Sequence, residues 1–190
     1  GLGTGCMGDS TVCISLGTYT SAMMEGKENL KGTSYAWPKF SCMPNKYLYD
    51  SNGIRRGMWT VSWYRDILGE GYAKLAKEQG MSPEEALGRE AEKVPVGSDG
   101  LMTVLNWLAT VDARYQKGIM IGFDGRHTRG HIYRSILEAV AMTMKRHVTD
   151  MCNEVGTTIN KLIITGGGSN SDLFMQIFAD VFDIPVVRNE

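Results

Sequence analysis

The stretch Lys161-Leu162-Ile163-Ile164-Thr165-Gly166-Gly167-Gly168-Ser169-Asn170-Ser171-Asp172-Leu173-Phe174-Met175-Gln176 decides how the rest of the chain is read. Its apolar run is short and ends in glycines, which reads as a buried strand. Beyond the glycines, Leu173, Phe174, Ile177, Phe178 and Val181 recur at the spacing of one helix face. Strand, glycine turn, helix is the expected order. Gly166, Gly167 and Gly168 allow backbone to approach a group that any Cβ would exclude. The helix start leaves unpaired N–H groups, with Ser169, Asn170 and Ser171 as candidate caps. Two readings stay open on this stretch alone: a seat for a nucleotide, and a tight strand–helix connection with no ligand.

Composition narrows the classes. A chain of 190 residues fits one domain, 1–190, with enough length to bury its own core. The net charge of −1 gives no electrostatic reason to expect nucleic acid or an anionic membrane surface. No apolar run approaches the ~20 residues that span a bilayer. Gly1-Leu2-Gly3-Thr4-Gly5 has the character of neither a signal peptide nor a targeting helix, so a soluble, cytoplasmic protein is expected. With no initiator Met, the chain reads as a piece of a longer one. Cys6, Cys13, Cys42 and Cys152 show no C-x-x-C spacing and suit reduced, mostly buried thiols. His127 and His131 stand four residues apart without an acidic or thiol companion in an obvious pattern, so no metal site is assigned.

Taken outward from the glycine turn, the chain alternates. Thr11–Leu16 and Tyr19–Met24 are β-rich and interrupted by Gly17-Thr18, a hairpin whose turn is either a phosphate cradle or an ordinary tight turn. The Gly1-x-Gly3-x-Gly5 run lacks a preceding strand and is discounted as a dinucleotide loop. Residues 25–45 are polar and read as a surface connection. Lys46–Ser51 reads as a strand, Asn52-Gly53 as a turn, and Trp59, Val61, Trp63, Tyr64, Ile67 and Leu68 as the buried side of a helix ending near Gly69. Trp59 and Trp63 are read as core.

Ser82-Pro83-Glu84-Glu85 carries a capping-box start for a helix running to about Glu92. Leu101–Leu105 is a candidate strand. From Thr128 to about Cys152, Ile132, Ile136, Leu137, Val140, Ala141, Met144, Val148 and Met151 recur at helical spacing, with Arg129, Arg134, Lys145 and Arg146 facing elsewhere. Arg126, His127, Arg129 and His131 either place a phosphate or form the loop and first turn of that helix, with His131 partly buried and hydrogen-bonded. A helix Ser171–Phe182 and a strand Ile184–Arg188 follow. The whole reads as an α/β layer structure.

In this order and spacing, four blocks resemble the C-terminal domain of the FGGY carbohydrate kinases, the family of glycerol, xylulose and gluconate kinases. They are Ile14-Ser15-Leu16-Gly17-Thr18; Trp63-Tyr64-Arg65-Asp66; Gly122 through His127-Thr128-Arg129-Gly130-His131 to Val140; and Thr165-Gly166-Gly167-Gly168 through Phe178-Ala179-Asp180. The resemblance covers essentially the whole chain. It implies an actin-like, ribonuclease-H-like ATPase domain with a mixed sheet and flanking helices, in which two such domains close on ATP and a sugar. The implied chemistry is transfer of the ATP γ-phosphoryl group to a carbohydrate hydroxyl, with Mg²⁺ offsetting phosphate charge.

Carried over residue by residue, Gly17 and Thr18 match the turn that contacts the ATP phosphates. Gly166, Gly167 and Gly168 match the turn under the adenosine, and Ser171 a position near the adenine. The family's catalytic aspartate is expected upstream of Gly1, and Asp9 reads as a solvated turn residue. No catalytic residue and no metal ligand is therefore assigned within the chain. Ala109–Arg114 stands where many members carry a Gly-Glu-Arg-x-Pro-like loop, and Met58, after Gly57, where they carry a glycine.

The resemblance further implies an N-terminal kinase domain as partner, a sugar or polyol as substrate, truncation of this piece at both ends, and negligible turnover by the piece alone. A homodimer is left open. A non-catalytic nucleotide-binding regulatory module of the same superfamily is the alternative. A Rossmann-type oxidoreductase, with Glu190 as the acidic residue, is disfavoured because Gly-Gly-Gly is not spaced G-x-G-x-x-G.

Overall fold

Leu162, Ile163 and Ile164 are buried in a strand, Lys161–Thr165, as their apolar run predicts. The computed structural model describes Gly8 and residues 10–189. The described residues fall into two compact units, one drawn from those before Arg55 and after Val140 and the other from Arg55–Val140. Gly1 to Gly5, Cys6, Asp9 and Glu190, singled out above, lie outside the described residues.

The first unit is built on a six-stranded mixed sheet. Its strands, numbered in chain order, are β1 (Thr11–Leu16), β2 (Thr20–Gly26), β3 (Ala36–Phe40), β4 (Tyr47–Ser51), β7 (Lys161–Thr165) and β8 (Val186–Arg188), in the order β3-β4-β2-β1-β7-β8. β1, β2, β4 and β3 pair antiparallel in succession, whereas β1, β7 and β8 run parallel. Val12, Cys13, Ile14 and Leu16 are all buried, and a strand without alternation is what covering on both faces produces. Helix α5 (Asp172–Phe182) buries Phe174, Ile177, Phe178 and Phe182, the stripe expected from its spacing. The rings of Phe174 and Phe178 stand 5.0 Å apart and those of Phe178 and Phe182 6.0 Å.

The stretch 25–45 is not only a connection. β3 lies within it, at the sheet edge, where Pro38 and Lys39 are tolerated because one side of the strand needs no ladder partner. Its approach is anchored by Glu154, whose carboxylate accepts from the backbone N–H of Ser34, Tyr35 and Ala36 at 2.7, 2.7 and 2.8 Å. Those amides, Ser34 first, hold the Glu154 carboxyl below the usual glutamate range.

The second unit carries α1 (Gly57–Ile67), α2 (Gly69–Glu78), α3 (Pro83–Glu92) and a two-stranded antiparallel sheet of β5 (Met102–Val104) and β6 (Ile119–Ile121). The 27-residue helix α4 (Arg129–Val155) gives residues to both units. α3 starts as its sequence predicts. Ser82 accepts from Glu85 N–H at 3.2 Å and Glu85 accepts from Ser82 N–H at 2.7 Å.

Two expectations fail in this unit. Ile67 is 57% exposed, so the buried face of α1 is Gly57, Thr60, Val61 and Tyr64, and Trp59 and Trp63 are only half-buried. The buried stripe of α1 is narrower than the apolar spacing predicts. Arg134 does not face outward. It is buried beside Glu138, donating Nε–H to Oε1 at 2.8 Å and an amino N–H to Ala91 O at 3.3 Å. Charge alone places an arginine outside, and a carboxylate one helical turn away reverses that.

Glu138 also accepts from Gly97 N–H and from the Ser98 hydroxyl, each at 3.0 Å. Those contacts hold four successive residues in the left-handed region: Gly97 (φ 82°), Ser98 (51°), Asp99 (53°) and Gly100 (89°). Two of the four are not glycine, so the turn stores strain that the buried carboxylate maintains.

Candidate functional site

β1 and β7 are parallel neighbours in register, Ser15 opposite Thr165. The turns that follow them, Gly17-Thr18 and Gly166–Gly168, therefore leave the sheet side by side at the carboxyl ends of two parallel strands. In open α/β sheets ligands bind in that position. The structure thus brings together five of the six residues assigned from sequence, and adds Ser171 through the helix that follows.

The glycines do different things. Gly166 has φ 92°, and a Cβ there would lie 2.7 Å from Leu16 O, so backbone packs on backbone and only glycine fits. At Gly167 a Cβ would meet nothing within 4 Å, so its face is open. Gly168 and Ser169 are buried in the short 3-10 turn Gly167–Asn170. The Ser169 hydroxyl donates to Gly166 O at 2.7 Å. Ser171 caps α5 by accepting from Phe174 N–H at 3.2 Å, which leaves its hydroxyl hydrogen for another acceptor. Of the three candidate caps, only Ser171 acts as one.

Arg188 went unread in the sequence. It donates Nε–H to Ser169 O and an amino N–H to Asp172 Oδ1 at 2.7 Å, fixing the glycine turn to β8. No local spacing announces such a residue, since its partners precede it by 19 and 16 positions. In the other turn Thr18 is exposed, and the Thr20 hydroxyl donates to Gly17 O at 3.3 Å.

Donor chemistry matches a nucleotide better than a metal. A glycine face open to approach, a hydroxyl and a capped helix start suit phosphate and nucleoside groups. Neither turn contains a carboxylate, and Asp172 is engaged by Arg188. Among the described residues no group of three or more His, Cys, Asp or Glu is arranged to hold a metal ion.

The histidine pair in the second unit is held by local hydrogen bonds. His127 Nδ1 accepts from Asp124 N–H at 2.8 Å. His131, third residue of α4, accepts at Nδ1 from Thr128 N–H at 3.2 Å and places Nε2 3.1 Å from Asp99 Oδ2. His131 thus reaches back over the helix start as Glu85 does in α3. Arg129 donates Nε–H to both oxygens of Glu90 at 2.9 and 2.7 Å and lies 4.8 Å from the Tyr72 ring centroid. Arg126 beside Asp124 lowers that carboxyl to about 2. These four residues lie in the loop before α4 and in its first turn, with His131 half-buried and hydrogen-bonded.

Comparison with known proteins agrees with this architecture. The sequence profile of the FGGY family of carbohydrate kinases, C-terminal domain, matches residues 12–190. The uncharacterized sugar kinase YgcE of Escherichia coli (strain K12) is 54% identical over 188 residues, which are 99% of this chain and 38% of that protein. The crystal structure of xylulose kinase from Rhodospirillum rubrum superposes with a TM-score of 0.84 at 26% identity, over 98% of this chain and 36% of its own. That of Plasmodium falciparum glycerol kinase with ADP gives 0.71 at 20%, over 93% and 34%, a likeness of fold. The fold is the actin-like ATPase fold of these kinases. The chain spans little more than a third of the length of the relatives it matches.

Proposed function

The chain belongs to the FGGY family of carbohydrate kinases, and from that premise we propose that it is the nucleotide-binding half of an ATP-dependent kinase acting on a sugar or polyol hydroxyl. One observation supports the assignment of residues: Gly17-Thr18 and Gly166–Gly168 end adjacent parallel strands, so one nucleotide reaches both. The Gly17-Thr18 turn and the Thr18 hydroxyl bind the phosphates. The open face of Gly167 seats the adenosine, Gly166 lets that turn lie against Leu16, and the Ser171 hydroxyl hydrogen points to the adenine edge. Mg²⁺, when bound, offsets the charge of the phosphates, and its protein ligands lie outside the two turns.

What these residues contribute is position. Phosphoryl transfer asks of its enzyme mainly alignment and charge stabilisation, and a nucleotide held by rigid turns supplies the alignment. The proton-accepting aspartate and the sugar contacts belong to an N-terminal kinase domain in the cytoplasmic enzyme this reading envisages.

The test is calorimetric titration of ATP and ADP into the chain and its Gly167→Val variant. Since a Cβ at 167 meets no protein atom within 4 Å, the variant is expected to keep the wild-type melting temperature and lose nucleotide affinity by about tenfold or more, about 1.4 kcal/mol. Equal affinity in both would overturn the assignment of the glycine turn.

A further inference from the structure

The turn assigned to the phosphates is three residues, Gly17–Tyr19, and a turn that short holds one shape only where its surroundings fix it. Two of its braces run through Thr20. Buried Thr20 donates its hydroxyl to Gly17 O, and Thr20 and Ile54 exchange N–H···O bonds at 3.0 and 2.8 Å. The third is a side chain. A Cβ on Gly53 would lie 2.2 Å from both Cζ and Oη of Tyr19 and 2.7 Å from Thr20 O, so the tyrosine ring and the backbone together fill the space any other residue at 53 would need. The Asn52-Gly53 turn otherwise has no role in the proposed chemistry.

Tyr19 is 49% exposed, so the ring does little for the core, yet it is seated one residue from Thr18. The turn is also tight on itself, with Tyr19 O 3.3 Å from where a Gly17 Cβ would stand.

We infer that Tyr19, seated on Gly53, is a positioning residue that fixes the Gly17-Thr18 backbone for the phosphates of a nucleoside di- or triphosphate. The inference rests on the nucleotide reading above and specifies which part of the nucleotide the seat serves. Its mark is selectivity: disturbing the seat weakens binding of the phosphates and leaves binding of the nucleoside alone.

The experiment titrates ADP and adenosine into the full-length chain, comparing wild type with Tyr19→Ala, Tyr19→Phe and Gly53→Ala. Tyr19→Ala and Gly53→Ala are expected to lose ADP affinity about fivefold to tenfold with adenosine affinity unchanged, a loss in the range of contact couplings. Tyr19→Phe, which keeps the ring, retains both. ADP affinity in Tyr19→Ala equal to wild type overturns the inference while leaving the nucleotide reading intact, and equal losses for ADP and adenosine overturn it as a general structural effect. Wild-type protein that binds neither overturns both readings.

Discussion

Gly166–Gly168 in one unit and Gly97–Gly100 in the other both leave ordinary backbone geometry, and they are held differently. In Gly166–Gly168, Gly166 lies backbone on backbone against Leu16 O, the Ser169 hydroxyl and Arg188 tie the turn down, and Gly167 faces open space. Gly97–Gly100 is held by a side chain, the buried carboxylate of Glu138, which takes Gly97 N–H and the Ser98 hydroxyl while Arg134 takes the rest of its charge. In the first, the unusual conformation ends at an unfilled surface. In the second, Glu138 answers the Gly97 N–H and the buried Ser98 hydroxyl from within the protein. What separates the two is the residue at the bend: the first turns on glycine, whereas the second takes Ser98 and Asp99, neither of them glycine, through the left-handed region.

The comparison breaks most severely at Glu138. Glu138→Ala leaves Arg134 buried without its carboxylate and the left-handed turn without its acceptor, and is expected to cost about 3–5 kcal/mol, read by denaturant unfolding. A loss under about 1 kcal/mol would mean that the turn holds itself.

Neighbouring glycines sharpen the contrast next. Gly166→Ala forces a Cβ to 2.7 Å from Leu16 O at φ 92° and is expected to destabilise by about 1–3 kcal/mol, whereas Gly167→Ala is expected to leave the melting temperature within a degree or two. Equal effects from the two would erase the distinction between backbone packing and open face.

The smallest effect concerns an exposed counterpart of Glu138. Glu154 also holds backbone amides, those of residues 34–36, but at the surface. Its folded-state pKa is depressed, so the stability it contributes is present above the unfolded value of 4.5 and is lost as pH falls through the folded value below it. Glu154→Gln is expected to lower stability slightly at neutral pH and to converge with wild type in acid, so that the acid limb below pH 4.5 flattens, measured by thermal unfolding across pH. An unchanged acid limb would show the three amides contribute nothing net.

What was legible in the sequence follows the range of each signal. The Ser82–Glu85 cap closes within three residues, and the β1–β2 hairpin closes around Gly17-Thr18, so local reading found both. The glycines of the site were legible as glycines, but their adjacency depends on β1 pairing with β7, which only the resemblance anticipated. Three side-chain anchors were not legible. Glu154 reaches back 118 to 120 residues, Glu138 reaches 41 and 40, and Arg188 reaches 19 and 16, distances over which no spacing rule operates. β3 escaped for another reason. An edge strand with Pro38 and Lys39 has no alternation to read.

The pairing of β1 with β7 also sets a timetable. Thr11 meets Lys161, about 150 positions later, across the middle of the sheet. On a ribosome adding roughly 5–20 residues each second, the hairpin of β1 and β2 waits several seconds or longer with the edge of Val12 and Ile14 unpaired. The nucleotide turns become neighbours only when that wait ends, so the proposed site is among the last features of this unit to exist, and the interval before it is when a chaperone has most to cover.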